Sequence, residues 1–297
     1  MTGGVRGEPV GGVRGEAVAG RPGGAGMRDE AVPGRPVGAR DVPHRVTVAD
    51  RGAVRVITLD RPEARNAFDA AMYRALLEAL VSARIDSGVR VAVLTGAAPA
   101  FSAGQDLHEM AALATGTGAP GLVTGFPALL DELATTDLPI VGAVNGAAVG
   151  LGLTMLPYLD VVLVAQGARA RVPFAELGVP PEAASSLLLA RRLGWSRAAH
   201  ALLCSAWISA EEMVEGGLAL RASPPMSLVD DAVEIASAMA GASRSALGGI
   251  KRLMRAAEAQ DIAAARRRED EAFALLFADP ERNPGASLAS GLGGGPS

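Results

Sequence analysis

The sequence predicts an α/β fold with a helical C-terminal region. Short Val-rich runs, which are typical of buried strands, recur between residues 44 and 208. Helical patterns separate these runs, with apolar residues spaced three and four apart. From Ser209 to about Ala278 the helical pattern continues, with a break at Ser223-Pro224-Pro225. Strands and helices that alternate, followed by an all-helical end, indicate an α/β core with a helical appendage.

The first elements of the core are predicted to be a hairpin and a helix. Two alternating runs, residues 46–49 and 53–59, are split by Asp50-Arg51-Gly52, a sequence typical of a tight turn. Asp69 stands where a helix N-cap is expected. An apolar stripe at helical spacing follows it, formed by Met72, Leu76, Leu77, Leu80 and Ile85. The stripe predicts an amphipathic helix.

The later elements continue the alternation. Buried strands are predicted at residues 91–94, 140–144 and 161–164, and helices near residues 129–133 and at 185–193. Residues 266–271 then read Arg-Arg-Arg-Glu-Asp-Glu, a charge run that predicts a solvated helix face.

The composition excludes several classes of protein. Lys plus Arg is 28 and Asp plus Glu is 32, so the net charge of −4 gives no positive field for nucleic acid or anionic lipid. The single cysteine, Cys204, and three separated histidines exclude a disulfide framework and a spaced zinc motif. Cys204 itself is predicted to be an apolar core residue. The sequence therefore predicts a soluble, cytoplasmic protein that binds no metal.

One uncharged stretch, residues 138–159, is long enough to span a membrane. It contains prolines, glycines and an Asn-Gly pair, and no Lys or Arg lies close to either end to set a topology. A buried strand, a turn at Asn145-Gly146 and a short buried helix explain the stretch better. No membrane contact is predicted.

Both ends of the chain differ in composition from the core. Residues 1–43 contain GGVRGEPV and GGVRGEAV and further Gly-Arg-Pro mixtures, with few large apolar side chains to offset the entropy of ordering. The last stretch is rich in Gly, Ser and Pro. The predicted organisation is a disordered tail (1–43), a core that holds the active site (44–208), a helical C-terminal region (209–282) and a loose tail (283–297).

Three segments combine small residues in a way that ordinary packing does not require. They are residues 64–68, 100–107 and 145–152, each at a point where a strand gives way to a helix or loop. Small residues there let backbone N–H groups approach a ligand, and a helix N-terminus adds partial positive charge. Two such amides aimed at one point would form an oxyanion hole. Alternatively, the small residues only permit tight turns.

Taken in order, these segments resemble the crotonase superfamily of enoyl-CoA hydratases and isomerases over residues 46–278. Residues 61–68 (RPEARNAF) resemble its first CoA-contacting turn, residues 101–107 its FSAGxDL segment, and residues 145–152 its NGxxxGxG stretch. The resemblance implies that Gln105 and Leu151 supply two oxyanion N–H groups. It also implies a crotonase-like spiral of ββα units with a helical C-terminal trimerisation region.

The resemblance places a CoA thioester against the same segments. The implied binding residues are Ala64, Arg65, Ala67, Ala103, Gly104, Gln105, Asp106, Leu107, Gly150 and Leu151. Coenzyme A is part of that substrate, so no separate cofactor is expected. Asp106 is expected to brace its loop by hydrogen bonding to nearby amides.

The general base is where members of the superfamily diverge. Hydratase-type members hold water with two glutamates, and the matching positions here are Thr154 and Phe174, neither of which accepts a proton at neutral pH. Residues 173–186 (PFAELGVPPEAASS) instead resemble the PFxxLGxxPExxSS stretch of peroxisomal-type Δ3,Δ2-enoyl-CoA isomerases, in which one glutamate is the base. The match falls on Glu182. Ala183-Ala184 stands where those isomerases usually have Gly after the glutamate.

These residues favour isomerisation of an enoyl-CoA by Glu182 and two backbone amides. An acyl-CoA is the expected substrate, and a homotrimer or a dimer of trimers is the expected assembly. Alternatively, Glu182 only complements the dipole of the helix that follows it. Glu176 is a second candidate base if its segment is extended.

Other functions and one pocket assignment stay open at this point. The first alternative function is hydration of an enoyl-CoA by the same fold. The second is a non-catalytic crotonase-fold protein that binds a thioester or acts as a scaffold. The acyl pocket is expected to be lined by residues 110–125.

Overall fold

The structure, a computed structural model, describes residues 45–114 and 120–278. Its strands are β1 (Val46–Arg51), β2 (Val54–Leu59), β3 (Val91–Gly96), β4 (Ala100–Ser102), β5 (Ile140–Val144), β6 (Ala147–Val149), β7 (Val161–Ala165), β8 (Arg169–Arg171), β9 (Ile208–Ser209) and β10 (Arg221–Ser223). Its helices are α1 (Ala70–Ile85), α2 (Leu107–Ala114), α3 (Pro120–Thr135), α4 (Leu151–Thr154), α5 (Phe174–Leu177), α6 (Ser185–Leu193), α7 (Trp195–Cys204), α8 (Ala210–Gly216), α9 (Leu228–Ala240), α10 (Arg244–Ala256) and α11 (Ala259–Ala278). The predicted α/β class with a helical C-terminal region is confirmed.

The larger sheet is built on the predicted hairpin. Strands β1 and β2 pair antiparallel around a turn at Gly52, which has φ +63°. Strands β2, β3, β5, β7 and β10 then pair parallel in that order. Strands β3 and β5 are buried along their whole length, as expected for parallel strands covered on both faces. The strands predicted at residues 91–94, 140–144 and 161–164 are confirmed.

A smaller sheet carries the segments that precede the site. Its order is β4-β6-β8-β9, with parallel pairs from β4 to β8 and an antiparallel pair between β8 and β9. Strands β4 and β6 lead directly into residues 103–107 and 150–152. These strands have two or three residues each, too few to show a periodicity, so the sequence does not predict them.

Helix α1 confirms the predicted cap and most of the predicted stripe. Oδ1 of Asp69 accepts a hydrogen bond from the N–H of Met72 at 2.7 Å. Leu76 and Leu80 are buried, whereas Ile85 at the helix end is 71% exposed. The helix packs against α3, which contains the predicted helical residues 129–133.

The uncharged stretch 138–159 forms buried core elements. It supplies β5, β6, α4 and a 3-10 turn at Leu156–Tyr158, and most of its residues are buried. Among the described residues, no helix combines the length and apolarity needed to cross a bilayer.

The C-terminal half differs from the prediction at three places. Strand β10 precedes the break at Pro224-Pro225 and extends the larger sheet. Glu269, inside the predicted solvated face, is only 5% exposed. Cys204 is exposed and not in the core; it is the last residue of α7, in which Ala198 and Ala201 are the buried positions. The tails predicted at 1–43 and 283–297 lie outside the described residues, so those boundaries stay predictions.

Candidate active site

Two glycine turns bring backbone N–H groups together where β4 and β6 end. Gly104 has φ +83° and precedes Gln105, and Gly150 has φ +52° and precedes Leu151. A Cβ added to Gly104 would lie 2.6 Å from the Val149 carbonyl oxygen and 3.3 Å from Leu151 N. The two turns are therefore in direct backbone contact, which residue 104 permits because it is glycine.

The N–H groups of Gln105 and Leu151 have no acceptor within the described part of the chain. The groups around them are paired: Gly104 O accepts from Phe68 N at 2.7 Å, and Gly150 N donates to Arg171 O at 2.9 Å. These bonds fix both turns while two neighbouring donors stay free. Free donors held by a rigid backbone are the geometry that stabilises an oxyanion.

Gln105 and Leu151 line a cavity that also contains Glu182. The other lining residues are apolar or small: Ala103, Leu107, Met110, Val149, Gly150, Pro173, Phe174, Leu177, Val179 and Phe273. The three residues assigned to catalysis from the sequence thus meet in one place, although 77 residues separate the first from the last. The alternative that the small residues only permit tight turns does not account for this convergence.

The walls of the cavity differ from the sequence expectation. Of the segment 110–125, Met110 alone is among the described lining residues. Helices α5 and α11 also contribute to the apolar wall, with Leu177 and Phe273. The helical pattern of α11 is predicted, but its contribution to the cavity is not, because the charge run at residues 266–271 predicts a solvated face. The four-residue spacing of Glu269 and Phe273 is the signal that marks the inward face.

Glu182 is the one acidic side chain among the described residues that line the cavity. Burial, with a smaller contribution from the charge of Glu269, raises the pKa of Glu182 to about 7. A carboxyl group with this pKa takes up and returns a proton readily near neutral pH. The environment therefore suits a general base better than a residue that only complements a helix dipole.

The turn after Glu182 explains how alanine replaces the expected glycine. Ala183 and Ala184 have φ +59° and +55°, in the left-handed region where alanine costs about 1 kcal/mol. The Tyr158 hydroxyl donates to Ala183 O at 2.9 Å, and Glu269 accepts from Ala184 N at 2.6 Å. These contacts hold the alanines in a conformation that they do not prefer on their own.

The positions that match the hydratase glutamates carry no acid. Phe174 forms part of the cavity wall. Thr154 is fully buried, and its Oγ1 has no hydrogen-bond partner in the described residues. Glu176 lies in helix α5 and not in the extended segment that a second base there requires, and its exposed side chain pairs with Arg171. The structure therefore places Glu176 outside the cavity.

The implied thioester-binding residues fall into three groups. Those lining the cavity are Ala103, Gln105, Leu107, Gly150 and Leu151. Ala64, Arg65 and Ala67 lie in the turn beside it, where Arg65 O accepts from Ala103 N at 2.9 Å. Gly104 and Asp106 support the loop that carries Gln105.

Asp106 braces its loop by accepting from nearby amides, as predicted. Its Oδ2 accepts from Arg61 at 2.7 Å and its Oδ1 from the N–H of His108 at 3.0 Å. Burial by itself raises the pKa of Asp106, but Arg61 and the amides of Glu109 and His108 together lower it below its usual value. The ionised carboxylate thus ties residues 105–108 to the turn that contains Arg61.

Comparison with known proteins identifies the family. The sequence profile of enoyl-CoA hydratase/isomerase matches residues 49–288. The 2,3-dehydroadipyl-CoA hydratase of Escherichia coli is 34% identical over 240 residues, which are 81% of this chain and 93% of that protein. The 1,2-epoxyphenylacetyl-CoA isomerase of Escherichia coli is 34% identical over 213 residues, 70% of this chain and 81% of that protein.

A solved structure agrees with the sequence comparison. The enoyl-CoA hydratase/isomerase from Pseudoalteromonas atlantica superimposes with a TM-score of 0.74 at 31% identity, over 84% of this chain and 97% of that one. The chain therefore belongs to the enoyl-CoA hydratase/isomerase, or crotonase, superfamily. Its relatives include a hydratase and an isomerase, so membership alone does not select the reaction. The resemblance to peroxisomal-type isomerases rests on the residues around Glu182.

Proposed function

We propose that this protein is a Δ3,Δ2-enoyl-CoA isomerase with Glu182 as its single base. The observation that carries the proposal is the content of one cavity: a carboxyl group with a raised pKa and two N–H groups without acceptors. Isomerisation needs one base and a stabilised enolate. A second carboxylate is not required, and the cavity offers none among the described residues.

The reaction moves one proton and neither adds nor removes atoms. The carboxylate of Glu182 takes a proton from C2 of a 3-enoyl-CoA, and the electron pair enters a dienolate whose charge lies on the thioester oxygen. The N–H groups of Gln105 and Leu151 donate to that oxygen, each worth about 3 kcal/mol in the transition state. Protonated Glu182 then returns the proton at C4, and the double bond ends between C2 and C3. Coenzyme A arrives with the substrate, so the scheme uses no separate cofactor.

Hydration is the second candidate because one relative is named a 2,3-dehydroadipyl-CoA hydratase and the family name covers both reactions. Addition of water needs a group that activates water and a group that protonates C2. Glu182 would have to perform both roles, since Thr154 and Phe174 occupy the positions of the two hydratase glutamates.

The deciding experiment compares two substrates and two variants. We expect the purified protein to convert a 3-enoyl-CoA to the conjugated 2-enoyl-CoA, measured by the gain of conjugated thioester absorbance. Glu182→Gln should lower kcat by about a hundredfold or more, because the near-isosteric amide cannot take the proton. Glu176→Gln is the matched control and should keep near parental activity, because Glu176 lies outside the cavity.

The pH dependence tests the same assignment. Because the base must be ionised, activity should rise with pH through an inflection near the Glu182 pKa of about 7 and then level off. Loss of absorbance with crotonyl-CoA, without isomerisation, would establish the hydratase alternative. Thioester binding without any turnover, unchanged by Glu182→Gln, would leave the non-catalytic alternative.

A further inference from the structure

Helix α11 places a buried carboxylate directly behind the turn that carries Glu182. One oxygen of Glu269 accepts from the N–H of Ala184 at 2.6 Å. The other accepts from the N–H and the hydroxyl of Ser186 at 2.9 Å and 2.5 Å. Glu269 is only 5% exposed, so the carboxylate is fixed by the protein and not by water.

The donors that Glu269 uses belong to the segment immediately after Glu182. The left-handed pair Ala183-Ala184 joins Glu182 to helix α6, and Tyr158 holds this pair from its other side. One helical turn beyond Glu269, Phe273 lines the cavity that Glu182 also lines. A single helix thus contributes a cavity wall and the anchor of the Glu182 turn.

We propose that Glu269 is a positioning residue that fixes the turn presenting Glu182 to the cavity and holds a negative charge behind it. The proposal rests on the proposed function, in which Glu182 is the base. Glu269 does not line the cavity and would act on the reaction through Glu182 alone.

The hydrogen bonds decide which of the two carboxyl groups carries the charge. Burial raises the pKa of Glu269 above its usual value, and three hydrogen-bond donors, which favour the ionised form, limit that rise. At Glu182, burial and the charge of Glu269 both raise the pKa. Of the two carboxyl groups, Glu269 is therefore the one whose hydrogen bonds favour the ionised form, and Glu182 is the one whose surroundings favour the protonated form.

The charged groups around the pair leave this negative charge unneutralised. Arg266 pairs with Asp131 on α3, and Arg255 on α10 pairs with Asp160. Arg191 and Arg192 on α6 pair with Glu258 and Asp261, toward the start of α11. No cation is paired with Glu269 within the described residues. The remaining titratable neighbours are Asp270 on α11, Tyr158 near Glu269, and Tyr73 on α1, which is coupled to Glu182.

The test replaces the charge while keeping the shape. In Glu269→Gln the pKa of Glu182 should fall by about half a unit or more, because a like charge is removed. The acid limb of the pH–rate profile should shift to lower pH by the same amount. On the alkaline plateau kcat should fall while KM stays near the parental value, because the base is weaker and the turn is less firmly held. Glu271→Gln is the matched control, since it removes one exposed negative charge from the same helix and should leave the profile unchanged.

A direct titration separates this proposal from the proposed function. The carboxyl carbon of Glu182 is followed by carbon-13 NMR in glutamate-labelled protein and assigned by its absence in Glu182→Gln. A lower titration midpoint of Glu182 in Glu269→Gln supports the charge effect. If Glu182→Gln is nevertheless active, that result contradicts only the assignment of Glu182 as the base. An unchanged midpoint, or an equal loss of activity at every pH, overturns the proposal.

A second variant covers the case in which Glu269→Gln does not fold. Glu269→Asp keeps the charge but is too short to keep all three hydrogen bonds. We expect it to retain the Glu182 midpoint and to lose kcat by about threefold or more, since small misplacements of a catalytic group are costly. Parental kcat in Glu269→Asp would overturn the positioning role.

Discussion

At the residue scale, the proposed oxyanion site depends on a glycine at position 104, where a side-chain methyl group would not fit. In Gly104→Ala the new Cβ would lie 2.6 Å from Val149 O and push against the turn that carries Leu151. We expect kcat for isomerisation to fall about tenfold to a hundredfold, because displacement of the two amides by an ångström or less is that costly. Steady-state kinetics with a 3-enoyl-CoA measures the effect.

Gly167→Ala is the matched control for this substitution. Gly167 has φ +80°, nearly the +83° of Gly104, and none of the described residues lies within 4 Å of its added Cβ. Both variants therefore carry the same backbone strain, about 1 kcal/mol. Equal losses of activity in the two variants would show that general destabilisation, and not the amide geometry, is responsible.

The residues of the site differ in how far the sequence reveals them. Glu182, Gln105 and Leu151 lie in motifs with a fixed spacing, and the structure brings them to one cavity. Glu269 lies in a charge run that conceals its role, and the one signal of the inward face is its four-residue spacing from Phe273, which lies beyond the run. The burial of the Glu269 carboxylate depends on the N–H donors of Ser186 and Ala184, which are 83 and 85 residues away in the sequence. A local sequence pattern does not show such distant donors.

At the element scale, one side chain joins the first turn of the site to strand β4. Asn66 is fully buried, and its Nδ2 contacts the carbonyl oxygens of Ala97, Ala100 and Phe101 at 2.8, 2.8 and 3.2 Å. Its Oδ1 accepts from Arg61 N at 2.9 Å. The side-chain amide of Asn66 thus donates to carbonyl oxygens in and before the short strand β4 that a neighbouring strand would otherwise pair with.

Asn66→Asp should destabilise the protein by about 3 kcal/mol or more, because an acceptor replaces the donor and faces three carbonyl oxygens without water. Urea unfolding measures the change. Asn145→Asp is the control: Asn145 donates to one carbonyl, Ala100 O, at 3.3 Å, and its Oδ1 bond to Gly96 N is one that aspartate keeps. A similar loss in both variants would contradict the role assigned to Asn66.

Elements were predictable where they are long enough to show a period. The hairpin, helix α1 and the Val-rich strands follow from alternation, capping and apolar spacing. Strands β4, β6 and β8 have three residues each and α5 has four, so their form depends on neighbours that pair with them or cover them. The second-base hypothesis for Glu176 required an extended segment, whereas the structure has the helix α5 there. Four residues are too few for the sequence to show which of the two forms.

At the scale of the whole molecule, helix α10 presents its apolar residues to the outside. Ile250, Leu253 and Met254 are 58%, 78% and 71% exposed. Lys251 is 5% exposed and donates to Leu138 O and to Asp160, both at 2.7 Å. The ion pair anchors the helix on the core, and its orientation leaves a patch of large apolar side chains that single chains seldom expose.

We therefore expect the protein to self-associate through this face of α10. The resemblance to the crotonase superfamily makes a homotrimer or a dimer of trimers the expected form, so light scattering after size exclusion should give three or six times 30.0 kDa.

Leu253→Asp combined with Met254→Asp should lower that mass, because burial of each side chain contributes about 1.5–3 kcal/mol to association and a buried unpaired carboxylate opposes it. Ile85→Asp is the control, as Ile85 is also exposed, at 71%, but lies at the end of α1. A parent protein with the mass of a single chain would contradict the prediction, and an undiminished mass in the double variant would place the interface on another face.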